Sequence, residues 1–141
     1  MIVNFLLEKI SVEKKKDVTG NVEVKNKTKI TDLKEQTIDA LGNKQNTLNV
    51  YFSFSITYEP NIASILIEGK IIDVMDEKDK KAVLESWKKD SKIDPKYSSP
   101  WMNAILSRCN VKALSLGNDI NLPPHIPFPR LAKKGQIEKK K

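Results

Sequence analysis

Residues 48–58 read LNVYFSFSITY, and this stretch decides the fold. Every second residue from Leu48 to Tyr58 is apolar or aromatic, while the residues between them are mostly polar. Alternation with period two over this length predicts a strand of an antiparallel sheet that has one buried face. The even-numbered residues are therefore predicted to form one wall of the core.

A second strand is predicted directly after this one. Residues 60–61 are Pro-Asn, which predicts a turn, and residues 62–75 are again rich in apolar side chains. Their apolar phase shifts between Ile71 and Ile72, and we expect a bulge near Gly69 to absorb the shift. Because the connection is short enough for a hairpin, the two strands are predicted to be neighbours.

Two more strands are predicted before this hairpin. Residues 2–12 are β-prone and carry apolar side chains on both faces, so both faces of this strand are expected to be buried. From Val22 to Ile30, apolar or uncharged residues alternate with Glu and Lys, which predicts a strand with one wet face. This strand is expected to end before the polar residues 31–45.

Helical patterns follow the strands. Asp76 predicts the N-cap of a short first helix that ends before residue 90. Ser99 and Pro100 predict the cap and the first residue of a longer second helix, which Gly117 ends. The predicted fold class is therefore α+β, with a four-stranded antiparallel sheet followed by a short and a long helix.

The segment after the second helix has a different composition. Residues 122–130 contain four of the seven prolines, which predicts an extended conformation. Residues 132–141 are rich in lysine and are predicted to be a disordered tail. We expect a single domain at residues 1–131, because a chain of 141 residues with 39% hydrophobic content suffices for one core.

Composition also bears on the compartment. No apolar segment reaches the roughly 18 residues needed to cross a membrane as a helix, and the first residues lack the pattern of a secretion signal. Cys109 is the only cysteine, so no disulfide can form within the chain. We therefore expect a cytoplasmic protein without a membrane span.

The chain is poor in the groups that carry catalysis. Its one histidine, His125, lies in the proline-rich segment, and its five glycines are isolated, so neither a histidine-based catalytic site nor a phosphate-binding loop is predicted. Cys109 lies on the apolar face of the second helix, where a buried, inert thiol is expected. Asp76, Glu77 and Asp79 are interpreted as complementing the helix dipole rather than as metal ligands. The sequence favours a binding protein over an enzyme, without a cofactor or metal.

The formal net charge of +7 could attract nucleic acid, an anionic membrane surface or an acidic protein. Lys25, Lys27 and Lys29 share the wet face of the second strand, where they could follow a phosphate backbone. Aromatic side chains that could stack on bases lie on other strands and mostly on the apolar face. Nucleic-acid binding by these lysines is therefore the alternative to polypeptide binding.

The order of elements and several local patterns resemble the SecB family of export chaperones and its shorter SecB-like relatives. Residues 2–131 contain four predicted strands, a short helix, a long helix opened by Ser-Pro-Trp at 99–101, and a Leu-Pro segment after it. The most specific pattern is Asn-Leu-Pro-Pro at residues 121–124, running to Phe128 and Leu131, which resembles the segment that follows the long helix of SecB.

This resemblance implies an ATP-independent holdase that keeps polypeptides unfolded and assembles as a tetramer of two dimers. It implies sheets joined through the first strand, so we expect the subunit contact at Val3, Phe5 and Leu7. It also implies client grooves lined by apolar and aromatic residues beside the helices. The residues carried over to client binding are Tyr51, Phe52, Phe54, Trp101, Met102, Leu122, Ile126 and Phe128.

Two features depart from bacterial SecB. That protein is strongly acidic and its C-terminal tail helps to dock the translocation motor, whereas this chain is basic and its tail is rich in lysine. We therefore expect a general chaperone, or one devoted to a particular client such as a toxin-antitoxin partner, rather than an export factor. The expected partners are unfolded client polypeptides and further copies of the chain.

Overall fold

The computed structural model of the protein describes residues 1–40, 42–126, 130–131 and 137–138. Its elements are β1 (Ile2–Lys14), β2 (Glu23–Ala40), β3 (Asn43–Glu59), β4 (Ala63–Asp73), α1 (Glu77–Asp90), α2 (Pro95–Asp119), β5 (Arg130–Leu131) and β6 (Ile137–Glu138). The first four strands form one antiparallel sheet in the order β1-β4-β3-β2. The α+β architecture predicted from the sequence, four strands followed by a short and a long helix, is confirmed.

Strand β3 lies inside the sheet and supplies six of the 18 buried residues of the core cluster, more than any other element. The six even-numbered side chains from Leu48 to Tyr58 are at most 1% exposed, whereas Tyr51 and the serines that alternate with them are partly exposed. The buried face packs against α2, whose residues Trp101 and Ile105 belong to the same core cluster. The period-two pattern therefore predicted both the strand and its buried face.

The β3–β4 hairpin is regular, and the expected bulge in β4 is wrong. Its register runs without a shift from Leu48 opposite Asp73 to Tyr58 opposite Ala63. The irregularities lie instead in the pairing of β1 with β4: one falls between Ile2 and Asn4, and the other falls between Leu7 and Lys9, directly across from Gly69.

Gly69 explains this placement. A Cβ at this position would overlap the Leu6 carbonyl oxygen and crowd the Leu7 Cα. The backbone of β1 therefore approaches β4 more closely here than a side chain would allow. Ile72 does not need a phase shift either, because it is buried on the opposite face of the sheet from Ile71.

Residues 31–40 and 43–45 form strands, in contrast to the expected end of the second strand before residue 31. Strands β2 and β3 continue as a hairpin to the pair Ala40 and Asn43, with Gly42 in the turn at φ 79°. Apart from the buried Leu33, cross-strand polar bonds hold the described side chains here: Thr37 donates to Asn46 at 2.9 Å, and Asn49 Nδ2 donates to Gln36 Oε1 at 2.6 Å. A polar hairpin of this kind lacks the apolar alternation from which strands are predicted.

Helix α1 follows Asp76, as predicted, although the Asp76 side chain makes no capping hydrogen bond. Helix α2 starts earlier than predicted, because Asp94 and Pro95 carry the same cap-and-proline signal that was assigned to residues 99–100. The Asp94 side chain accepts a hydrogen bond from the Lys96 amide at 3.0 Å, and Pro100 lies inside the helix. None of the described helices is long and apolar enough to span a membrane.

The predicted tail, residues 132–141, is described only at β6, which pairs with β5 in a separate two-stranded sheet. The remaining tail residues lie outside the described residues. Disorder of the tail therefore stays a prediction.

Candidate functional site

Half of the residues predicted to bind clients belong to the core. The side chains of Phe52, Phe54, Trp101 and Leu122 are at most 6% exposed. This corrects the expectation of an open groove at these positions, because α2 covers the sheet face from which both phenylalanines project. A side chain within a strict period-two run is expected to pack inward, and that signal should have outweighed the aromatic character.

Hydrogen bonds anchor the segments around these core residues. Trp101 Nε1 donates to Asp73 Oδ2 at 2.5 Å, which joins the first half of α2 to the end of β4. The Tyr58 hydroxyl donates to the Pro123 carbonyl oxygen at 2.6 Å, and burial raises the pKa of this hydroxyl. The hydrogen bond from Tyr58 therefore holds the start of the proline-rich segment against the sheet, where Leu122 is buried.

Two further predicted client residues are less deeply buried than these four. Met102 and Ile126 are partly buried, and Met102 packs against the core cluster. Phe128 lies outside the described residues. The predicted client residues that the structure describes are therefore not gathered into one open site.

Tyr51 differs from the other predicted client residues because it lies on the sheet face away from the helices. Tyr51 lies opposite Asp32 on β2 and opposite Lys70 on β4. The ammonium groups of Lys34 and Lys70 lie 5.4 and 5.9 Å from the centre of its ring, within reach of a cation–π interaction. Tyr51 thus lies between two lysines, each of which also has a carboxylate within 4.0 Å: Asp32 for Lys34 and Glu8 for Lys70.

The exposed apolar surface is concentrated on β1, which is an edge strand. Four side chains make up what we call the β1 apolar row: Val3, Leu6, Leu7 and Ile10, each between 37% and 49% exposed. No described residue pairs with the outer side of β1, so the expected subunit contact at Val3 and Leu7 lies beside an edge that could pair with another strand.

A shallow groove separates β1 from the outer side of α2. It has a volume of about 620 Å³ and is lined by Phe5, Leu7, Ser107, Arg108, Val111, Lys112 and Ser115. We call it the β1–α2 groove. Val111 is 69% exposed, so the groove has an apolar residue on each side and basic residues along α2.

Phe5 forms the apolar floor of this groove. The centroids of the Phe5 and Phe52 rings are 5.1 Å apart and the ring planes are inclined by 35°. This contact connects the groove to the core. The Arg108 guanidinium lies 5.0 Å from the centre of the same ring. Phe5 and Leu7 were predicted from the sequence as contact residues, but Arg108 and Val111 were missed because these two lie outside the apolar stripe of the second helix. An apolar residue on the polar face of a helix is the signal that could have identified Val111.

The opposite edge strand, β2, is basic. Lys25, Lys27 and Lys29 are exposed and lie opposite Thr57, Ser55 and Ser53 of β3. Among the described residues, none of the three lysines has a carboxylate within 4.0 Å. We call these residues the β2 lysine row, and the structure agrees with the predicted wet face of this strand.

Lys80 is the one fully buried charged side chain among the described residues. Its ammonium nitrogen lies 2.9 Å from a carboxylate oxygen of Glu35 and 2.9 Å from one of Glu77. Burial alone would lower the pKa of Lys80, but the hydrogen bonds to the two carboxylates outweigh it and raise that pKa. This arrangement ties α1 to β2.

The side chains of Cys109, His125, Glu77 and Asp79 are each buried or in contact with a neighbouring side chain. Burial raises the pKa of the Cys109 thiol to about 11, so the thiol stays protonated at neutral pH, as expected for an inert cysteine. His125 Nε2 lies 2.8 Å from the Asn110 side-chain oxygen, and burial lowers the pKa of the imidazole. In the acidic sequence cluster, Glu77 contacts Lys80, and Asp79 accepts a hydrogen bond from the Tyr97 hydroxyl at 2.8 Å.

Comparison with known proteins supports the fold. No protein-family model matches the chain, and no curated protein matches its sequence. Among solved structures, the chain is similar to the SecB-like chaperone Rv1957 of Mycobacterium tuberculosis, which was solved in complex with a ChAD peptide from the antitoxin Rv1956 HigA1. The TM-score is 0.64 at 11% sequence identity, and the match covers 94% of this chain and 91% of that one. The chain therefore has a SecB-like fold.

Proposed function

We propose that this protein is an ATP-independent, holdase-type chaperone that binds extended segments of unfolded polypeptides. The carrying observation is the β1–α2 groove, whose walls include Phe5 and the exposed Val111, on a SecB-like fold. The solved complex of Rv1957 with an antitoxin peptide supports the proposal, since a similar fold there binds a peptide. An antitoxin segment is accordingly one candidate client of this protein.

The groove binds a client by burying apolar side chains. Phe5, Leu7 and Val111 offer apolar contact, and removal of apolar area from water contributes about 25 cal/mol per Å². Such contact requires apolar residues in the client but reads no particular sequence. Arg108 and Lys112 add a preference for clients that carry acidic residues beside the apolar ones.

The active form is a homo-oligomer joined through β1. Pairing of two β1 edges extends the sheet across both subunits and covers apolar side chains that are exposed in one chain. Phe5 and Leu7 lie opposite Ile71 and Gly69 and so face the helix side of the sheet, where the grooves of two paired subunits come together. A dimer of such dimers is the tetramer expected from the SecB resemblance.

Suppression of aggregation tests the function. A heat-unfolded test protein is followed by light scattering without ATP, and the chaperone at a stoichiometric ratio is expected to keep it soluble. Val111→Asp should remove most of the protection, because it places a charge on the apolar wall of the groove. Asn103→Asp adds the same charge at an exposed site of α2 outside the groove and should leave protection unchanged. No protection by the native chain at tenfold excess would contradict the proposal.

Binding to RNA is the second candidate function. It is favoured by the position of Tyr51 between Lys34 and Lys70, on the same sheet face as the β2 lysine row. Phosphate binding should collapse between about 50 and 200 mM salt, whereas apolar client binding should persist or strengthen. Titration of a fluorescent single-stranded RNA at both salt concentrations separates the two functions.

A further inference from the structure

Strand β2 presents an open backbone edge together with a regular row of charges. It pairs with β3 on one side, and no described residue pairs with its other side. Lys25, Lys27 and Lys29 follow one another at every second residue and are exposed. An open edge of this kind can accept an extended peptide as an additional strand.

The spacing of the lysines matches that of an extended peptide. Residues two apart in a strand project from the same face and are about 6.8 Å apart. A peptide added beside β2 has the same repeat, so its alternate side chains lie next to the β2 lysine row while its backbone pairs with the strand. Three carboxylates at alternate positions would each face one ammonium group.

The lysine row also excludes other strands. Lysines on an edge oppose pairing with a second copy of β2, because like charges would then lie next to one another. A neutral apolar strand would leave three ammonium groups without a partner. An acidic strand both removes this repulsion and gains charge-assisted contacts, so the edge is selective rather than merely blocked.

The side chains beside the lysines favour peptide over RNA. Binding of single-stranded nucleic acid without base pairing depends on aromatic side chains on which bases stack. The residues directly across from Lys25, Lys27 and Lys29 on β3 are Thr57, Ser55 and Ser53, which offer hydroxyl groups and no ring. The ring of Tyr51 lies on the same face but opposite Asp32 and near Lys34 and Lys70, beyond the end of the β2 lysine row.

We propose that the β2 edge binds a client segment in extended conformation with acidic residues at alternate positions. This inference rests on the chaperone function proposed above and adds a second client contact, on the opposite edge of the sheet from the β1–α2 groove. The recognised segment is short: Glu23 and Asp32 border the lysine row, so three alternating acidic residues fill it.

A pair of isomeric peptides tests the spacing. One fluorescent peptide carries three glutamates at alternate positions between threonines and valines, and its isomer has the same composition with the glutamates consecutive. At about 50 mM salt the alternating peptide should bind the native protein several-fold more tightly, because the contiguous one can face the lysine row with fewer carboxylates. Equal affinity for both isomers would overturn the proposal, since net attraction alone would then explain binding.

A triple variant tests the lysines. Lys25→Gln/Lys27→Gln/Lys29→Gln should weaken binding of the alternating peptide about tenfold, the combined effect of three exposed ion pairs. The control Lys78→Gln/Lys81→Gln/Lys89→Gln removes the same charge from exposed positions of α1 and should change affinity less than about twofold. Equal losses in the two variants would contradict a role of the β2 edge.

A fluorescent oligouridylate of similar length is titrated alongside. If the triple variant of β2 loses RNA binding while the native protein ignores the alternating peptide, the β2 edge is a nucleic-acid surface and the proposal is wrong. The holdase function is read out separately, because the triple variant should still protect a neutral test protein from aggregation. If the native protein binds the alternating peptide but does not protect the test protein, the holdase function alone is contradicted.

Discussion

In the part of the chain that the structure describes, the outer edges of β1 and β2 both lack a pairing strand, but the side chains along the two edges differ in character. The β1 edge carries Val3, Leu6, Leu7 and Ile10, whereas the β2 edge carries Lys25, Lys27 and Lys29. An apolar edge gains stability by pairing with a copy of itself, and a basic edge loses it by like-charge repulsion. The difference suggests that side chains, rather than backbone geometry, assign one edge to assembly and the other to an acidic partner.

The largest expected effect comes from making the β1 edge resemble the β2 edge. Val3→Lys/Leu7→Lys should weaken self-association at least about a hundredfold, because it replaces apolar contact by repulsion. Light scattering should then give the mass of one chain, 16.0 kDa, at concentrations where the native protein forms oligomers. Asn21→Lys/Asn26→Lys adds the same two charges beside and on β2 and should leave the mass unchanged; dissociation by this control instead would reverse the assignment of the edges.

A second prediction concerns how β1 is held to the sheet. Gly69→Ala should lower the free energy of unfolding by about 2 kcal/mol, because the added methyl group collides with the backbone of β1 at Leu6. Gly117→Ala is the matched control: its Cβ would make only ordinary contacts of 3.7–3.8 Å with Leu122, Ile65 and Tyr58. As Gly117 lies in α2, that substitution should stabilise by about 0.5–1 kcal/mol. Urea unfolding measures both, and equal signs would contradict the close approach of β1.

Strand β2 is held differently, by the ion pairs of Lys80. Lys80→Gln should cost about 1 kcal/mol of unfolding free energy, since Glu35 and Glu77 lose a buried partner but remain partly solvated. Lys78→Gln, at an exposed position of the same helix, should cost nothing measurable.

The same contact predicts a pH dependence. Because the folded-state pKa of Lys80 is raised above its ordinary value of 10.5, its stabilisation is fully present below that pH and is lost as the pH rises through the folded-state pKa. The stability difference between the native chain and Lys80→Gln should therefore shrink in strongly alkaline solution, as chemical unfolding across this range would show. A constant difference would mean that Lys80 acts by packing alone.

The smallest expected effect is at Arg108, which lies over the Phe5 ring in the β1–α2 groove. Arg108→Gln should cost about 0.5 kcal/mol of unfolding free energy, the size of an exposed cation–π contact. Lys112→Gln removes a charge from the same groove without a known ring contact and should cost less. If both variants lose the same amount of unfolding free energy, the stabilisation comes from the overall positive charge of the groove and not from the contact with the Phe5 ring.

The sequence predicted those parts of the fold in which burial follows a simple period. The alternation around Phe52 and Phe54 predicted β3, but the same residues were then assigned to client binding, and burial in the core contradicts their exposure. Residues 31–40 and 43–45 were not recognised as strands because, apart from the buried Leu33, polar cross-strand bonds hold the described side chains of this part of the hairpin. Groove residues such as Val111 are brought to β1 only by tertiary packing, which no local pattern records.

The polar end of the β2–β3 hairpin implies uneven local stability along one pair of strands. Near Phe54 the hairpin is covered by the core, whereas near Thr37 and Asn46 it depends on exposed hydrogen bonds and on two contacts with α1, from Lys80 to Glu35 and from Asn46 to Glu77. Amide hydrogens should therefore exchange with solvent by local opening around Thr37 long before those around Phe54, which require global unfolding. Opening that begins there and moves inward along β2 would shorten the edge beside the lysine row from one end, so the length of paired strand offered to a partner would vary with time.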